Sequence, residues 1–303
     1  MKKIAILLAT YNGEKHLKEQ IDSILNQSLQ SFDLYIRDDK STDNTRKIIK
    51  EYLKKYPDKI FDISDNKQSG SSQNNFLLLL KHVLGKYEYY MFSDQDDVWL
   101  QNKVEDEYNE IKSYDNKKPI LVHSDLYVVD SKLNIKSDSF INYSNLTNRE
   151  LRFNELLIQN NVTGCTMIFN NELAKKIDFN CNKILHDHHL SVLASSIGEI
   201  HLLKKPLVYY RQHNNNVVGA QEYSLFHKLS DFSSYKKDIL DNIENAKCLM
   251  KYYSKTLKST DTKILKEFSN IKKHNKFYRI RFIIKNKIFK PGLPRIIFEL
   301  IFI

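Results

Sequence analysis

The sequence predicts a mixed α/β sheet flanked by helices, followed by a basic helical extension at the C-terminal end. Short apolar runs alternate with helical patterns in the N-terminal part, and runs that are apolar on both faces are typical of parallel strands covered by helices. Further along the chain the apolar runs continue, with shorter helical stretches between them. After residue 222 the pattern is helical to the end. These observations predict an α/β domain with a helical appendage.

The N-terminal part predicts four strands with helices between them. Each helical pattern has apolar residues three or four positions apart, which is the spacing of one helix face. The strands are expected at residues 4–9, 32–37, 60–64 and 87–93, and the helices at residues 17–25, 48–53 and 75–84.

The second part predicts a less regular continuation of the sheet. Strands are expected at residues 120–130, 163–170 and 206–212, separated by short helical stretches near 148–159 and 189–196. Strands with such uneven connections favour a mixed sheet over a purely parallel one.

Length and composition are those of an ordinary globular protein. The chain has 303 residues, ample for a buried core, of which 41% are hydrophobic and 28% charged. The first apolar run is too short for a signal peptide and is interpreted as a buried strand. No apolar segment approaches the ~20 residues of a transmembrane helix. The scattered Cys165, Cys181 and Cys248 argue against a disulfide framework or a zinc site, and indicate a reducing compartment.

Polar residues follow three of the expected strands where a plain connector would suffice. These loops are TYNGE (residues 10–14), RDDKSTDNT (37–45) and SDQDD (93–97). In an open parallel sheet, ligands bind outside the carboxyl ends of the strands. If the strands are parallel, the three loops therefore share one rim and form a site.

The SDQDD loop crowds Asp94, Asp96 and Asp97 into four residues. Like charges this close raise one another's pKa, so their proximity needs a compensating partner. A divalent cation supplies one, because Mg²⁺ and Mn²⁺ prefer oxygen ligands. The alternative is a solvated acidic loop that starts a helix, and the presence of three polar loops on one rim favours the site.

The strings TYNG, DDKSTDNT, SDQDD, TGC and HDHHL, in this order, resemble glycosyltransferase family 2, the inverting nucleotide-sugar transferases with a GT-A fold. The resemblance covers about residues 1–220. The longer strings SDQDDVW, HDHHL and YRQHNNNVVGA resemble bacterial rhamnosyltransferases of polysaccharide assembly. The resemblance implies a GT-A domain over residues 1–221 and leaves residues 222–303 as the extension.

The resemblance implies a nucleotide pocket at the first two loops. Thr10, Tyr11 and Asn12 would line it, with the Tyr11 ring against the base. Asp38 would accept a hydrogen bond from N3–H of uracil or thymine, a group that cytosine lacks. Asn75 either faces the nucleotide or caps the helix that begins beside it.

The resemblance also implies a Mn²⁺ or Mg²⁺ site at the third loop, the DxD element of the family. Asp96 would bind the metal directly, and Asp94 would bind the ribose, a metal-bound water or the metal itself. Asp97 orients its neighbours or caps the next helix. Arg211 and His213 are candidates for the diphosphate and the metal. The metal would neutralise the leaving diphosphate.

The resemblance implies that an acidic residue acts as general base on the acceptor hydroxyl, and Asp187 occupies that position. His186 stands where relatives carry Glu. The next His188 and His189 are interpreted as helix-surface residues. If Asp187 is not the base, Asp125 and Glu172 are the next candidates. The TGC string (residues 163–165) is expected at the floor of the acceptor pocket, with its cysteine in the core.

The donor and the acceptor are expected from the rhamnosyltransferase resemblance. The first donor is dTDP-β-L-rhamnose, and the alternative is UDP-linked galactose, glucose or N-acetylhexosamine. The acceptor is a growing bacterial surface glycan of the capsule or O-antigen kind, linked to a polyprenyl diphosphate. The chain lacks a Trp near residues 209–219, which argues against a processive synthase.

Other classes of protein fit the sequence less well. A nucleic-acid binder would use the basic extension, but no RNP-like or zinc motif accompanies it, and the acidic rim would have no purpose. A phosphohydrolase of HD type would be helical, in conflict with the expected strands. A scaffold without activity is disfavoured because the expected carboxylates are present. No nucleic acid is therefore expected as partner.

The extension predicts contact with a membrane surface. Residues 1–221 hold as many acidic as basic residues, so the whole net charge of +10 lies in the extension. Residues 272–303 hold nine Lys or Arg and one acid, Glu299, mixed with bulky apolar residues. This mixture is typical of a segment on an anionic leaflet, here the cytoplasmic face of the cell membrane. The alternative is a helix packed on the domain with its cations in solvent.

Overall fold

A nine-stranded mixed sheet organises the part of the chain described by the computed structural model, which is residues 3–212, 232–290 and 292–303. Its order is β3-β2-β1-β4-β8-β6-β9-β5, with β7 paired to β6. The strands are β1 (Ile4–Thr10), β2 (Phe32–Asp38), β3 (Ile60–Asp62), β4 (Tyr89–Ser93), β5 (Val98–Trp99), β6 (Ile120–Val129), β7 (Ile135–Ser137), β8 (Met167–Asn170) and β9 (Glu199–Arg211).

The strands that carry the three polar loops are parallel. Strand β1 pairs in parallel with β2 on one side and with β4 on the other. The register places Thr10 beside Asp38 and Leu8 beside Ser93, so the three strands end at one edge of the sheet. The shared rim expected from the sequence is confirmed.

The other half of the sheet is mixed. Strand β8 is antiparallel to both β4 and β6, whereas β9 runs parallel to β6 and antiparallel to β5. Strand β9 begins earlier than residue 206, where its sequence pattern begins. Strands β5 and β7 were not expected, because two or three residues are too few to show an alternating pattern.

Helices cover both faces of the sheet. Side chains of β1 alternate between two cores, with Ile4, Ile6 and Leu8 in one and Ala5 and Leu7 in the other. Both sets are fully buried, as expected for a strand covered on both faces. The helices are α1 (Leu17–Leu25), α2 (Thr45–Lys55), α3 (Ser72–Val83), α4 (Lys103–Ile111), α5 (Phe140–Tyr143), α6 (Phe153–Leu156), α7 (Asn171–Ala174), α8 (His186–Ile197), α9 (Phe232–Tyr253), α10 (Ser259–Ser269), α11 (Lys276–Asn286) and α12 (Leu293–Phe302).

The helical stretch expected at residues 148–159 is reduced to the single turn of α6. The side chain of Asn161 donates to the backbone carbonyls of Thr147 and Arg149, at 2.9 Å each. Side-chain bonds of this kind compete with the helical ladder for backbone acceptors. The remainder of the stretch therefore forms a loop.

The C-terminal helices pack on the α/β domain. Buried residues of α9 and α10, such as Ile243, Leu249 and Phe268, belong to the same hydrophobic cluster as Phe92 of β4 and Phe169 of β8. The expected boundary at residue 221 lies outside the described residues. Among the helices described, none has both the length and the apolar character needed to cross a membrane.

Two of the three cysteines form a disulfide, contrary to the expectation that the scattered cysteines argue against a disulfide framework. Cys181, in the loop before α8, is bonded to Cys248 of α9, with their Cα atoms 5.9 Å apart. The two residues are separated by 67 positions and meet only because α9 packs against that loop. Cys165 is a buried free thiol.

Candidate active site

A cavity of about 1000 Å³ opens at the rim where β1, β2 and β4 end. It lies between the first and third polar loops on one side and the start of α8 on the other. Its lining includes Thr10, Tyr11, Asn12, Asp39, Asn75, Asp94, Gln95, Asp96, Thr163, Gly164, His186 and Asp187.

The first and second loops are joined by hydrogen bonds from Asn12. Its backbone N–H donates to Ser41 Oγ at 2.8 Å, and its side-chain Oδ1 accepts from the N–H of Thr42 at 2.8 Å. Asn12 has a φ of 48°, a left-handed conformation that asparagine tolerates well. Asn12 thus fixes the loops, while the Tyr11 ring is half exposed and available to a ligand.

The first and third loops are joined by Gln95, a residue that the sequence analysis did not select. Gln95 Oε1 accepts from the Tyr11 N–H at 2.8 Å, and Gln95 Nε2 donates to the Tyr11 carbonyl at 3.0 Å. This pair of bonds imitates the pairing of two strands. The sequence offered one sign of this role, which is that Gln95 lies between the carboxylates of the SDQDD loop.

Asp38 lies beneath the rim, outside the lining of the cavity. Its Oδ1 accepts from the hydroxyls of Thr10, at 3.0 Å, and of Ser41, and its Oδ2 accepts from the Ser41 N–H at 3.1 Å. The neighbouring Asp39 does line the cavity. Recognition of a pyrimidine by Asp38 stays a prediction.

Asn75 is buried at the junction of α3 with the ends of β1 and β2. Its Oδ1 accepts from Arg37 Nη1 at 2.8 Å, and its Nδ2 donates to the Arg37 carbonyl at 3.1 Å. The N-cap of α3 is Ser71, whose side chain accepts from the N–H of Asn74. Asn75 is therefore not the cap. It lines the cavity, and its contact with the nucleotide stays a prediction.

The third loop groups its carboxylates at two depths. Asp94 and Asp96 line the cavity, whereas Asp97 is fully buried behind them. Candidate ligand atoms of Asp94, Asp97 and Cys165 lie within 4.8 Å of one another. Burial, helped by the charges of Asp96 and Asp187, raises the pKa of Asp94 to about 7. Burial disfavours the ionised form of Asp94, and the neighbouring negative charges add to the effect.

This donor set fits a hard divalent cation. Oδ2 of Asp97 is buried without a hydrogen-bond partner in the described structure, and a buried carboxylate oxygen in that state is costly. Burial raises the pKa of the Cys165 thiol, and the Asp97 charge adds to this effect, so the sulfur remains a poor ligand. Oxygen ligands suit Mg²⁺ or Mn²⁺. The expected ligand His213 lies outside the described residues.

Arg211, at the end of β9, holds the third loop from behind. Its backbone N–H donates to Asp97 Oδ1 at 3.2 Å, its Nε donates to the Asp96 carbonyl at 2.9 Å, and its Nη1 donates to the Ser131 carbonyl at 2.7 Å. The side chain is buried and lies outside the cavity lining. Asp97 thus ties the loop to β9 and does not cap α4, whose N-cap is Asn102. Contact of Arg211 with a diphosphate stays a prediction.

Asp187 projects into the cavity from the first turn of α8. Burial raises its pKa to about 6, although backbone hydrogen bonds from His188 and Gly164 oppose the shift. The other two candidates for the base, Asp125 and Glu172, make contacts outside the cavity. Asp125 accepts from Ser139 and the N–H of Phe140, and Glu172 pairs with Lys175; neither lines the cavity.

His186 forms part of the cavity wall between two phenylalanines. Its ring centre lies 4.3 Å from that of Phe76 and 4.8 Å from that of Phe92. Burial lowers its pKa to about 3, so the imidazole is neutral, and neither ring nitrogen has a hydrogen-bond partner in the described structure. At this position, where relatives carry Glu, the chain therefore has an uncharged aromatic ring in the cavity wall.

The interpretation as a helix-surface residue was wrong for His189, and His188 is half-buried. His189 is fully buried and its Nε2 lies 2.7 Å from the hydroxyl of Tyr253, while His188 Nε2 lies 2.5 Å from the carbonyl of Leu156. The segment that contacts His189 is α9, which is distant in the sequence. The local pattern therefore gave no sign of the burial.

Comparisons with known proteins agree with this geometry. Residues 5–178 match the profile of Glycosyl transferase family 2. The dTDP-rhamnosyl transferase RfbG of Shigella flexneri is 33% identical over 232 residues, which cover 70% of this chain and 74% of that protein.

Solved glycosyltransferases share the fold. Staphylococcus aureus TarS 1–349 in complex with UDP has a TM-score of 0.55 at 16% identity, covering 93% of this chain and 78% of that one. The mannosyltransferase PcManGT of Pyrobaculum calidifontis, in complex with GDP-Man and Mn²⁺, has a TM-score of 0.52 at 14% identity, covering 97% and 77%. The fold is that of the GT-A glycosyltransferases, as the sequence indicated.

Proposed function

The chain belongs to glycosyltransferase family 2, and we propose that it transfers one L-rhamnose from dTDP-β-L-rhamnose, with inversion, to a lipid-linked bacterial glycan. The observation that carries this proposal is the position of Asp187 in one cavity with the acidic third loop. One group suited to activating an acceptor thus faces a site suited to a diphosphate. The 33% identity to a dTDP-rhamnosyl transferase supports the choice of sugar.

The chemistry is a single displacement. Asp187 takes the proton of an acceptor hydroxyl as its oxygen bonds to the anomeric carbon of the donor. The bond from that carbon to the diphosphate oxygen breaks on the opposite face, and the nucleoside diphosphate leaves with the bonding electrons. The configuration at the anomeric carbon is inverted, and no covalent enzyme intermediate is needed.

The environment of Asp187 suits this role. A pKa of about 6 leaves the carboxylate ionised at neutral pH while keeping it a better proton acceptor than an ordinary aspartate. Its place at the start of α8 holds it close to the neutral wall formed by His186. An uncharged neighbour neither repels the base nor competes with it for the proton.

The third loop would hold Mn²⁺ or Mg²⁺ through Asp94 and Asp96, with Asp97 and Arg211 fixing the loop. When bound, the cation would neutralise charge on the leaving diphosphate. The chain's own contribution is rigidity, because Gln95 and Arg211 secure the loop at its two sides. A fixed loop aligns the diphosphate without further reorganisation.

The nucleobase is proposed to lie against Tyr11, near Thr10 and Asp38. Uracil and thymine both present the N3–H group that Asp38 would accept, so this contact does not separate dTDP from UDP donors. A UDP-linked galactose, glucose or N-acetylhexosamine is accordingly the second candidate donor.

We propose that the enzyme binds the cytoplasmic face of the cell membrane through a surface of α11 and α12. On α11, Phe277 and Ile284 are 76% and 52% exposed, and on α12, Ile297 and Ile301 are 48% and 54% exposed. We name these four residues the tail surface. Exposed cations on α11, among them Arg281, lie in the same segment. Apolar side chains with cations around them suit an anionic leaflet and a polyprenyl-diphosphate-linked acceptor.

Donor use tests the proposal. The purified enzyme is incubated with Mn²⁺ and, in separate reactions, with dTDP-rhamnose, UDP-galactose, UDP-glucose and UDP-N-acetylglucosamine. Release of the nucleoside diphosphate is then measured with and without a lipid-linked acceptor. Turnover with dTDP-rhamnose supports the proposal, whereas turnover confined to a UDP-sugar supports the second candidate.

A further inference from the structure

The C-terminal extension contacts the helix that carries Asp187. Two residues after Asp187 on α8, His189 Nε2 lies 2.7 Å from the hydroxyl of Tyr253, the last residue of α9. The same hydroxyl accepts a bond from the N–H of Asp178 at 2.5 Å. The Tyr253 hydroxyl therefore makes hydrogen bonds both to the loop before α8 and to the His189 ring of α8 itself. The extension is thereby hydrogen-bonded to the helix that carries Asp187.

Further bonds join the extension to both ends of α8. At the C-terminal end, Ser196 Oγ donates to Asp261 Oδ2 at 2.7 Å and accepts from the N–H of Lys258 at 3.2 Å. In front of the N-terminal end, the disulfide joins Cys181 to Cys248 of α9. The extension therefore holds α8 along its length.

The start of α8 needs such support. Its N-cap is Leu185, which makes no side-chain capping bond. Helices without a capping side chain begin less stably, because the first N–H groups lack partners. Asp187 lies in this first turn, and its Oδ1 accepts from the N–H of His188 at 2.5 Å. Its carboxylate therefore moves with the turn, and tertiary contacts close by place the turn.

The contact of Tyr253 with His189 is buried. Tyr253 is 2% exposed and His189 is fully buried, so neither group can exchange its partner for solvent. Removing one partner would leave the other unsatisfied in the core. A contact of this kind fixes one arrangement of the helix.

We propose that Tyr253 is a positioning residue for the transfer reaction, which places Asp187 by bonding His189. The inference rests on the proposed role of Asp187 as base. It assigns part of the active-site geometry to the C-terminal extension, beyond the residues 5–178 that match the family profile. Catalytic groups displaced by about 1 Å can lose on the order of 10²-fold in rate, so even a slight relaxation of α8 is measurable.

The test is the full-length Tyr253→Phe variant, which keeps the ring and removes only the hydroxyl. We expect kcat to fall at least about tenfold, with the donor KM and the Kd for the nucleoside diphosphate unchanged. Tyr252→Phe is the matched control, because it removes a hydroxyl from the adjacent, half-buried ring. A kcat within twofold of wild type in Tyr253→Phe would overturn the inference.

A double variant separates positioning from a general loss of stability. Both Tyr253→Phe and His189→Leu remove the same hydrogen bond, so the double variant should have a kcat no lower than the poorer single variant. Independent, multiplying losses would contradict the inference. If Tyr253→Phe does not fold, His189→Leu removes the same hydrogen bond from the side of α8, and an unchanged kcat there would equally overturn the inference.

The outcomes distinguish this inference from the proposed function. If Asp187→Asn retains wild-type turnover, the assignment of the base fails, whatever Tyr253→Phe does. If Asp187→Asn is inactive while Tyr253→Phe keeps full kcat, only the positioning role fails.

Discussion

Gly164 and His186 are in such close contact that a Cβ on Gly164 would lie 2.6 Å from His186 Nε2. Real Cβ atoms are not found at this distance, so Gly164→Ala should displace the His186 ring from its place between Phe76 and Phe92. Overpacking of this kind costs about 1–3 kcal/mol of stability. We expect a lower melting temperature and reduced transfer.

A double variant tests whether the clash between Gly164→Ala and the His186 ring causes this loss of stability. Truncating the ring in Gly164→Ala/His186→Ala removes the clash, so the double variant should recover part of the stability lost in Gly164→Ala. A double variant less stable than both single variants would mean that the two residues do not conflict.

Asp187→Asn should lower kcat by about 10²–10⁴-fold, because the amide cannot accept the acceptor proton. Donor binding, measured by calorimetry with the nucleoside diphosphate, should remain near that of wild type. The control is Glu172→Gln, which removes an exposed carboxylate outside the cavity. Wild-type turnover in Asp187→Asn would assign the base elsewhere.

Asp96→Asn, or removal of metal with EDTA, should abolish transfer and weaken binding of the nucleoside diphosphate. The reason is that Asp94 and Asp96 line one cavity, where the charge of Asp96 helps to raise the pKa of Asp94. Added Mn²⁺ should restore activity to the EDTA-treated wild type but not to the variant. Full activity in EDTA would contradict the metal assignment.

Glu299 should make the protein less stable as the pH rises. Burial raises its pKa from 4.5 to about 7, although Lys290 and Arg295 oppose the shift. The folded state therefore binds this proton more tightly than the unfolded state, and stability falls between about pH 4.5 and pH 7.

Glu299→Gln should consequently be more stable than wild type at pH 8, by up to about 3 kcal/mol, and similar to it near pH 4.5. Urea unfolding at the two pH values measures the difference. Glu244→Gln, an exposed position on α9, is the control. A variant less stable than wild type at pH 8 would show that the carboxylate is stabilising as an ion.

The sequence predicted those features that depend on local pattern. The run from Ile4 to Ala9 is apolar throughout, and its residues do fill two cores in alternation. The polar loops at the strand ends could be placed together because parallel strands end at one edge. The acidic loop was therefore found from its place at a strand end, and Asp187 was found from the family resemblance. The structure brings both to one cavity.

Features that depend on contacts between distant segments were missed. The disulfide of Cys181 with Cys248 and the burial of His189 both result from packing by α9, and no local periodicity records that packing. The tie from Arg211 to the Asp96 backbone likewise joins residues that lie 115 positions apart. The sequence gives no sign of this hydrogen bond, because the two residues meet only when the sheet places β9 behind the third loop.

The structure of the extension is compatible with both interpretations of it, packing on the domain and contact with a membrane. Its helices do pack on the domain, since Ile283 and Ile288 are buried, yet the four residues of the tail surface remain exposed. Lys276 Nζ donates to the Ile301 carbonyl and so brings the start of α11 beside the end of α12. A packed helix pair can therefore still present an apolar outer surface.

Membrane binding should be tested with point variants, because these helices contribute buried side chains such as Ile283 to the core. Phe277→Ser/Ile284→Ser removes exposed apolar groups only, so the fold and the turnover of a water-soluble acceptor analogue should be kept. Wild type should float with vesicles that contain anionic lipid, and high salt should release only part of it, because apolar contact persists when charges are screened.

The double variant should lose the salt-resistant fraction and bind by charge alone. Leu78→Ser is the matched control, because Leu78 is an exposed leucine on α3. Each Lys or Arg near an anionic surface adds roughly 1 kcal/mol, so the variant should still float at low salt. If wild type and the double variant both stay with the soluble fraction at low salt, the tail surface does not bind membranes, and its exposed residues must serve a different partner.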